Sequence, residues 1–254
     1  MPSFRLLVSA FFAFAACGMP AASAQSFSDS QRGEIETIVR NYLIAHPEVL
    51  EEAMAELSKR QAAADAAKHE ASVVNNAQTI FNSPRGVVLG NKDGDVTFVE
   101  FFDYNCGYCK RAMVDMLELM KTDPKLKVVL KEFPVLSQAS IEAAQVGVAV
   151  RMQDPTGKKY LDFHQRLLGG RGTADKAHAL AAAKEAGLDT AKIEKDLTST
   201  EVRATIEENF KLAEAMGMNG TPSYVIGKQV VIGAVGVESL KEKIGIARCG
   251  KATC

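Results

Sequence analysis

Apolar positions along this chain recur with two spacings, and the change from one to the other falls at Cys106-Gly107-Tyr108-Cys109. Upstream, Val96, Phe98, Val99, Phe101 and Phe102 form a β-branched and aromatic run of the kind that fills a buried strand. Downstream, Met113, Met116, Leu117 and Met120 fall three and four apart, along one face of a helix. The pattern predicts a strand, a short turn and a helix that opens at the two cysteines.

The same reading extends over the rest of the chain. Residues 28–78 read as helix, with Ser28, Asp29 or Ser30 as cap and Pro47 as an interruption. Leu43, Leu50, Leu57, Ala64 and Ala71 recur every seven residues, half of a heptad pattern. Such a stripe must be buried either on its own domain or in an oligomer, because helices of this size are marginal alone. Lys59-Arg60 and the alanines of 62–71 read as a semi-rigid linker. Turn signals bracket a short strand around Val87-Val88-Leu89, and Leu126 to Phe133 reads as another strand. From Ser137 to Met218 only helices are expected, over 158–168, 173–186, 190–197 and 201–216, with Thr173 and Asp189 as caps. Tyr224–Ile226 and Gln229–Ile232 form a predicted hairpin about Gly227-Lys228. A closing helix is expected over 237–247.

Composition narrows the function classes. Thirty basic residues face thirty-one acidic ones in a chain of 254, which gives no sign of nucleic-acid binding or of a polybasic membrane anchor. Arg5, the apolar run Leu6–Ala16 and Ala22-Ser-Ala24 have the form of an export signal cleaved before Gln25. Lipoprotein processing at Cys17, after Phe14-Ala-Ala16, is the alternative. Export leaves Cys106, Cys109, Cys249 and Cys254 in an oxidising compartment. That even number suits one catalytic pair and one structural disulfide near the C-terminus, Cys249–Cys254.

The chemistry sits at the change of spacing. Residues i and i+3 on a helix are neighbours, so Cys106 and Cys109 come within reach of a disulfide. The first turn offers unpaired N–H groups and the positive end of the helix dipole, which stabilise a thiolate on Cys106. Cys109 points back under the turn. An exposed, low-pKa thiol beside a resolving thiol is the equipment of thiol–disulfide exchange. A structural disulfide or half of a zinc site are the competing readings, and Cys249 and Cys254 are too loosely spaced for a second zinc pair. Met113, Met116 and Met120 read as helix core, Met216 and Met218 as a pliable apolar rim for substrates. His46, His69, His164 and His178 read as solvated or capping residues, and no metal site is expected.

These features together resemble the thioredoxin superfamily, and its Dsb (disulfide-bond) branch in particular, over about residues 95–247. The strand-CxxC-helix unit, Glu100 six residues before Cys106, and Gly220-Thr-Pro-Ser-Tyr-Val-Ile226 carry the likeness. The resemblance implies a buried Glu100 that handles the proton of the inner cysteine. It implies a cis Pro222 against the CxxC, with Gly107, Tyr108, Thr221 and Pro222 bordering the substrate. The Gly-Tyr dipeptide and Thr221 look more like disulfide isomerases than the oxidase DsbA. The helical extension before a CGYC domain is similar to the suppressor-of-copper-sensitivity C (ScsC) type. The expected fold is α/β, a thioredoxin fold with an inserted helical subdomain behind an N-terminal helical arm. The divisions are a signal peptide at 1–24, an arm at 25–78, and a catalytic domain at 79–254 with its insertion at 137–218. The implied function is periplasmic thiol:disulfide exchange, without a cofactor, on cysteine-containing exported proteins. A membrane redox partner and a homo-oligomer built through residues 28–78 go with it. A monomeric DsbA-like oxidase and a copper(I)-binding protein are the rival readings.

Overall fold

A computed structural model describes residues 27–254, so the expected signal peptide and Cys17 lie outside the described residues. The chain divides into two compact units, one ending at Ser58 and one spanning Lys59–Cys254. In the first, α1 (Asp29–Ala45) begins with a reciprocal capping box: Ser28 Oγ accepts from the Gln31 N–H, and Gln31 Oε1 accepts from the Ser28 N–H. Pro47 separates α1 from α2 (Glu48–Asn82), whose first turn carries Glu48 and Glu51. The alanine-rich stretch does not interrupt α2, because alanine is the strongest helix former. The far end of α2 buries Val73 and Ile80 in the second unit, which takes in Lys59–Asn82 of the helix as well as the residues from 79 onward.

The second unit is built on a five-stranded sheet of β1 (Val87–Gly90), β2 (Val96–Phe102), β3 (Leu126–Glu132), β4 (Ser223–Ile226) and β5 (Gln229–Ile232). The spatial order is β1-β3-β2-β4-β5, with β2 and β3 parallel and the other pairs antiparallel. The crossover from β2 to β3 is α3 (Gly107–Thr122), which starts at the CxxC. Between β3 and β4 lie five helices and no strand: α4 (Gln138–Gln153), α5 (Lys158–Gly169), α6 (Lys176–Glu185), α7 (Thr190–Asp196) and α8 (Thr200–Ala215). α9 (Val237–Cys249) closes the chain. Asp189 caps α7 as expected; α6 is capped by Asp175 in place of Thr173.

Both faces of the sheet are covered. Val99, Phe101, Val129 and Val225 pack with Val73 and Ile80 of α2 and with Leu212 and Ala213 of α8. Phe98, Phe102, Val128, Leu130, Tyr224 and Ile226 face α3, α9 and the inserted helices. This two-sided burial explains why β2 and β3 are continuous apolar runs and show no alternation. The hairpin register pairs Ile226 with Gln229, and Gly227 adopts a positive φ of 58° at the turn.

Candidate active site

The last residues of β2 and the turn after it are tied down by two polar side chains that the sequence reading passed over. Asp103 is buried; its Oδ1 accepts from the Asn105 N–H at 2.8 Å, and its Oδ2 accepts from the N–H groups of Val135 and Leu136 at 2.9 and 3.1 Å. Its carbonyl accepts from the Cys106 N–H. Asn105 reaches the insertion, donating to Ser140 Oγ and to the Ala174 carbonyl and accepting from the Ala174 N–H. Phe-Asp-Tyr-Asn-Cys thus fixes the CxxC against the loop after β3 and against the inserted helices. The signal in sequence was the Asp-x-Asn pair, whose side chains cap turns.

Cys106 is the N-cap of α3, with extended φ/ψ of −84° and 113°. Both it and Cys109 are free thiols. The expectation of an exposed Cys106 needs correction: it is 7% exposed, while Gly107 and Tyr108 stand out from the surface. The thiol faces an open groove of about 320 Å³ bordered by Gly107, Lys110, Leu168, Gly170 and Arg171. Cys106 Sγ donates to the Thr221 carbonyl at 3.2 Å, across the cis Thr221–Pro222 peptide. The side chain of Cys109, that of Thr221 and the N–H groups of Cys109 and Tyr108 lower the Cys106 thiol to about 5, against the opposing effect of burial. Cys109 is fully buried, and burial together with the Cys106 and Glu100 charges pushes its thiol well above the ordinary range. Two cysteines three residues apart therefore have opposite acidities.

Glu100 is buried on β2, on the same face as Phe98 and Phe102. Burial first, then the Asp115 and Cys106 charges, pushes its carboxyl up to about 8. Tyr108 is 59% exposed, and the Arg111 guanidinium lies 4.5 Å from its ring centre. Gly107 has open space where a side chain would project. Cys249 and Cys254, joined by a disulfide, lie at the end of α9.

Two readings are corrected by the packing. His164 is neither solvated nor a cap: it is buried, held neutral by burial with its pKa near 3, and packed against Phe102, Tyr104 and Tyr160. Met216 and Met218 are buried beneath the sheet and form no rim. Tyr104, on the groove wall, belongs to a buried polar knot in which Tyr104 and Tyr160 both donate to Glu132 Oε1, at 3.2 and 2.7 Å. Burial raises the Glu132 carboxyl well above the carboxylate range, against the two tyrosine hydroxyls, which lower it. Among the described residues no cluster of three metal-ligating side chains occurs and no helix is long and apolar enough to cross a membrane.

Comparison with known proteins agrees with this geometry. Residues 97–245 match the model of the DSBA-like thioredoxin domain, and residues 31–64 that of the copper resistance protein ScsC N-terminal domain. A thioredoxin-like oxidoreductase from Silicibacter pomeroyi is 42% identical, covers 67% of this chain and 96% of its own, and superposes with a TM-score of 0.64. A linker-deletion variant of Proteus mirabilis ScsC is 28% identical, with a TM-score of 0.65 over 89% of this chain and 98% of its own. DsbA of Bordetella pertussis is 28% identical over 53% of this chain. The chain spans 64% of that DsbA, and 25% of a Salinispora arenicola Na(+)/H(+) antiporter that it matches at 24% identity over 65% of itself. With its CxxC at the start of α3 and its helical insertion between β3 and β4, the chain belongs to the DSBA-like thioredoxin family and carries an ScsC-type segment ahead of that domain.

Proposed function

We propose that this protein is a periplasmic thiol:disulfide oxidoreductase that acts on cysteines of other exported proteins, chiefly as a disulfide isomerase or reductase. The observation that carries the reading is the opposed acidity of Cys106 and Cys109 on one helical turn. At neutral pH Cys106 is a thiolate and attacks a substrate disulfide, releasing one substrate thiolate and leaving a mixed disulfide. Cys109 then attacks the Cys106 sulfur, its proton going to the ionised form of Glu100, a minority of molecules below pH 8, and the second substrate thiolate leaves. Thr221 borders the attacked sulfur, and Tyr108 and Gly107 offer an exposed edge for an extended substrate. The helical arm supports the isomerase direction. Ile38, Tyr42, Ile44, Met54 and Leu57 are each more than half exposed, an apolar surface that a second copy of the arm would cover. Assembly holds several Cys106 thiols around one substrate. A membrane redox partner would return Cys106 and Cys109 to the dithiol form.

Recovery of scrambled ribonuclease, measured together with assembly size by light scattering, tests this reading. An oligomer that recovers scrambled ribonuclease and loses that activity with Cys106→Ser is expected. A monomer that oxidises reduced substrates and recovers nothing would place the protein with the oxidases, a direction that the DSBA match favours.

A further inference from the structure

The groove that Cys106 faces is bordered by two charged side chains, and both are cations. Lys110 lies one turn along α3 from Cys106, and Arg171 lies in the loop that joins α5 to α6. Both are exposed. Among the described residues neither has a carboxylate partner: Lys110 Nζ donates to the Gly170 carbonyl at 2.6 Å, and the Arg171 guanidinium makes no bond within the chain. Arg171 also borders a hollow of about 210 Å³ behind its loop, where Arg166 is paired with Asp162 and Glu185. The other polar groups of the groove are already engaged. The Tyr104 hydroxyl donates to Glu132, and the Asn105 amide is filled by Ser140 and Ala174. Asp103, close by in the chain, is buried and accepts from three N–H groups. Leu167 and Leu168 supply an apolar wall. With Cys106 ionised, one thiolate and two cations leave the groove with a surplus of one positive charge. The whole chain carries thirty basic against thirty-one acidic residues, so this surplus is local.

We propose that this groove selects substrate segments that carry aspartate or glutamate beside the attacked cysteine. The proposal rests on the reading of Cys106 as the thiol that attacks a substrate disulfide. In that step the Cys106–substrate S–S bond forms and the substrate S–S bond breaks, and one substrate sulfur leaves as a thiolate with the electron pair. A carboxylate approaching the Cys106 thiolate alone would be repelled. Lys110 and Arg171 reverse that sign. Lys110 has two N–H groups beyond the one given to Gly170, and Arg171 presents a planar fork that matches a carboxylate. A neutral segment gains only the leucine wall, and a basic one meets two cations. Charge complementarity of this kind raises the rate of encounter more than the affinity. Lys110 and Arg171 thus decide which disulfides are attacked fast, while Cys106 decides that they are attacked at all.

The test uses the reduced full chain and symmetric peptide disulfides that differ only beside the cysteine, with glutamate, glutamine or lysine there. Cleavage is quenched in acid and read by mass spectrometry. Each rate is divided by that of the same peptide with mercaptoethanol, which removes the peptide's own reactivity. In dilute buffer the glutamate peptide is expected to react about tenfold faster than the glutamine peptide, and the lysine peptide slower than both. Molar salt should erase the advantage. Arg171→Gln and Lys110→Gln are each expected to cut the glutamate-to-glutamine ratio to about threefold, and the double variant to about one. Lys121→Gln, in the last turn of α3, removes an equal charge outside the groove and should keep the ratio. Each variant is judged by a ratio of two substrates, so an unfolded fraction or an altered Cys106 reactivity cancels. A parent ratio of one overturns the proposal, as does a ratio that survives the double variant or falls equally in Lys121→Gln. In those cases Cys106-dependent cleavage of the glutamine peptide leaves the exchange reading standing. Failure to cleave any of the peptides removes that reading as well.

Discussion

The sulfur of Cys106 lies 3.2 Å from the carbonyl oxygen of Thr221, on the loop that leads into β4. The Thr221 hydroxyl beside it is buried and unpartnered while Cys106 is a thiol. The Thr221 side chain is nonetheless among the groups that lower the Cys106 thiol, after that of Cys109.

Alkylation of the reduced protein should consequently titrate with a midpoint near 5 and modify Cys106 alone. Thr221→Val, which keeps the shape and removes the hydroxyl, is expected to raise that midpoint by about one pH unit. Iodoacetamide rates across pH, read by mass spectrometry, provide the check. Faster modification of Cys109 would reverse the two roles.

Glu100 should cost stability while serving turnover. Below about pH 4.5 the carboxyl is protonated in the folded and unfolded chains alike. Between there and about 8 only the unfolded chain loses the proton, so stability falls as pH rises and levels off above 8. Glu100→Gln is therefore expected to stabilise the reduced protein by up to about 3 kcal/mol at pH 7. The same variant should remove the rise in mixed-disulfide resolution that accompanies ionisation near pH 8. Urea unfolding at pH 4, 7 and 9 tests the sign.

Gly147 on α4 faces the Glu132 carboxyl so closely that a methyl group there would overlap Oε1. The carboxyl is held by the hydroxyls of Tyr104 and Tyr160 and has little freedom to withdraw. Gly147→Ala should destabilise the domain by about 1–3 kcal/mol, as overpacked cores do, and disturb the groove wall at Tyr104. Thermal unfolding and exchange rate, measured together, should both fall.

The Cys249–Cys254 disulfide closes a small loop at the C-terminal end of α9. Replacing both cysteines with serine should leave insulin reduction within about twofold and lower stability by no more than about 2 kcal/mol, as expected for so short a loop. A loss of activity comparable to that of Cys106→Ser would assign this pair to turnover.

Removal of residues up to Ser58 follows the division between the compact units and spares Val73 and Ile80. The truncated protein is expected to be a monomer that reduces insulin and no longer recovers scrambled ribonuclease. Ending the deletion at residue 78 would also strip Val73 from the core and should unfold the domain.

What the sequence determined by itself is everything that follows from neighbours along the chain. The change from a β-type run to helical spacing placed Cys106 and Cys109 at a helix start, and Gly227-Lys228 set a two-residue hairpin. The strand residues of β2 and β3 were legible because both faces of those strands are buried, which leaves an apolar run with no alternation. Polar residues were a different matter. Whether His164 meets water, whether Asp103 braces the loop after β3, and whether Glu132 sits between two tyrosines depend on segments far apart in the chain. Period and propensity do not encode such partners, because a buried, satisfied polar side chain and a solvated one look alike in sequence. The tertiary structure also set Cys106 in an open groove and placed Tyr224 beside Glu100. Sheet register and the closure of the insertion over α3 decided both, and each arises only when strands and helices from the two halves of the domain pack together.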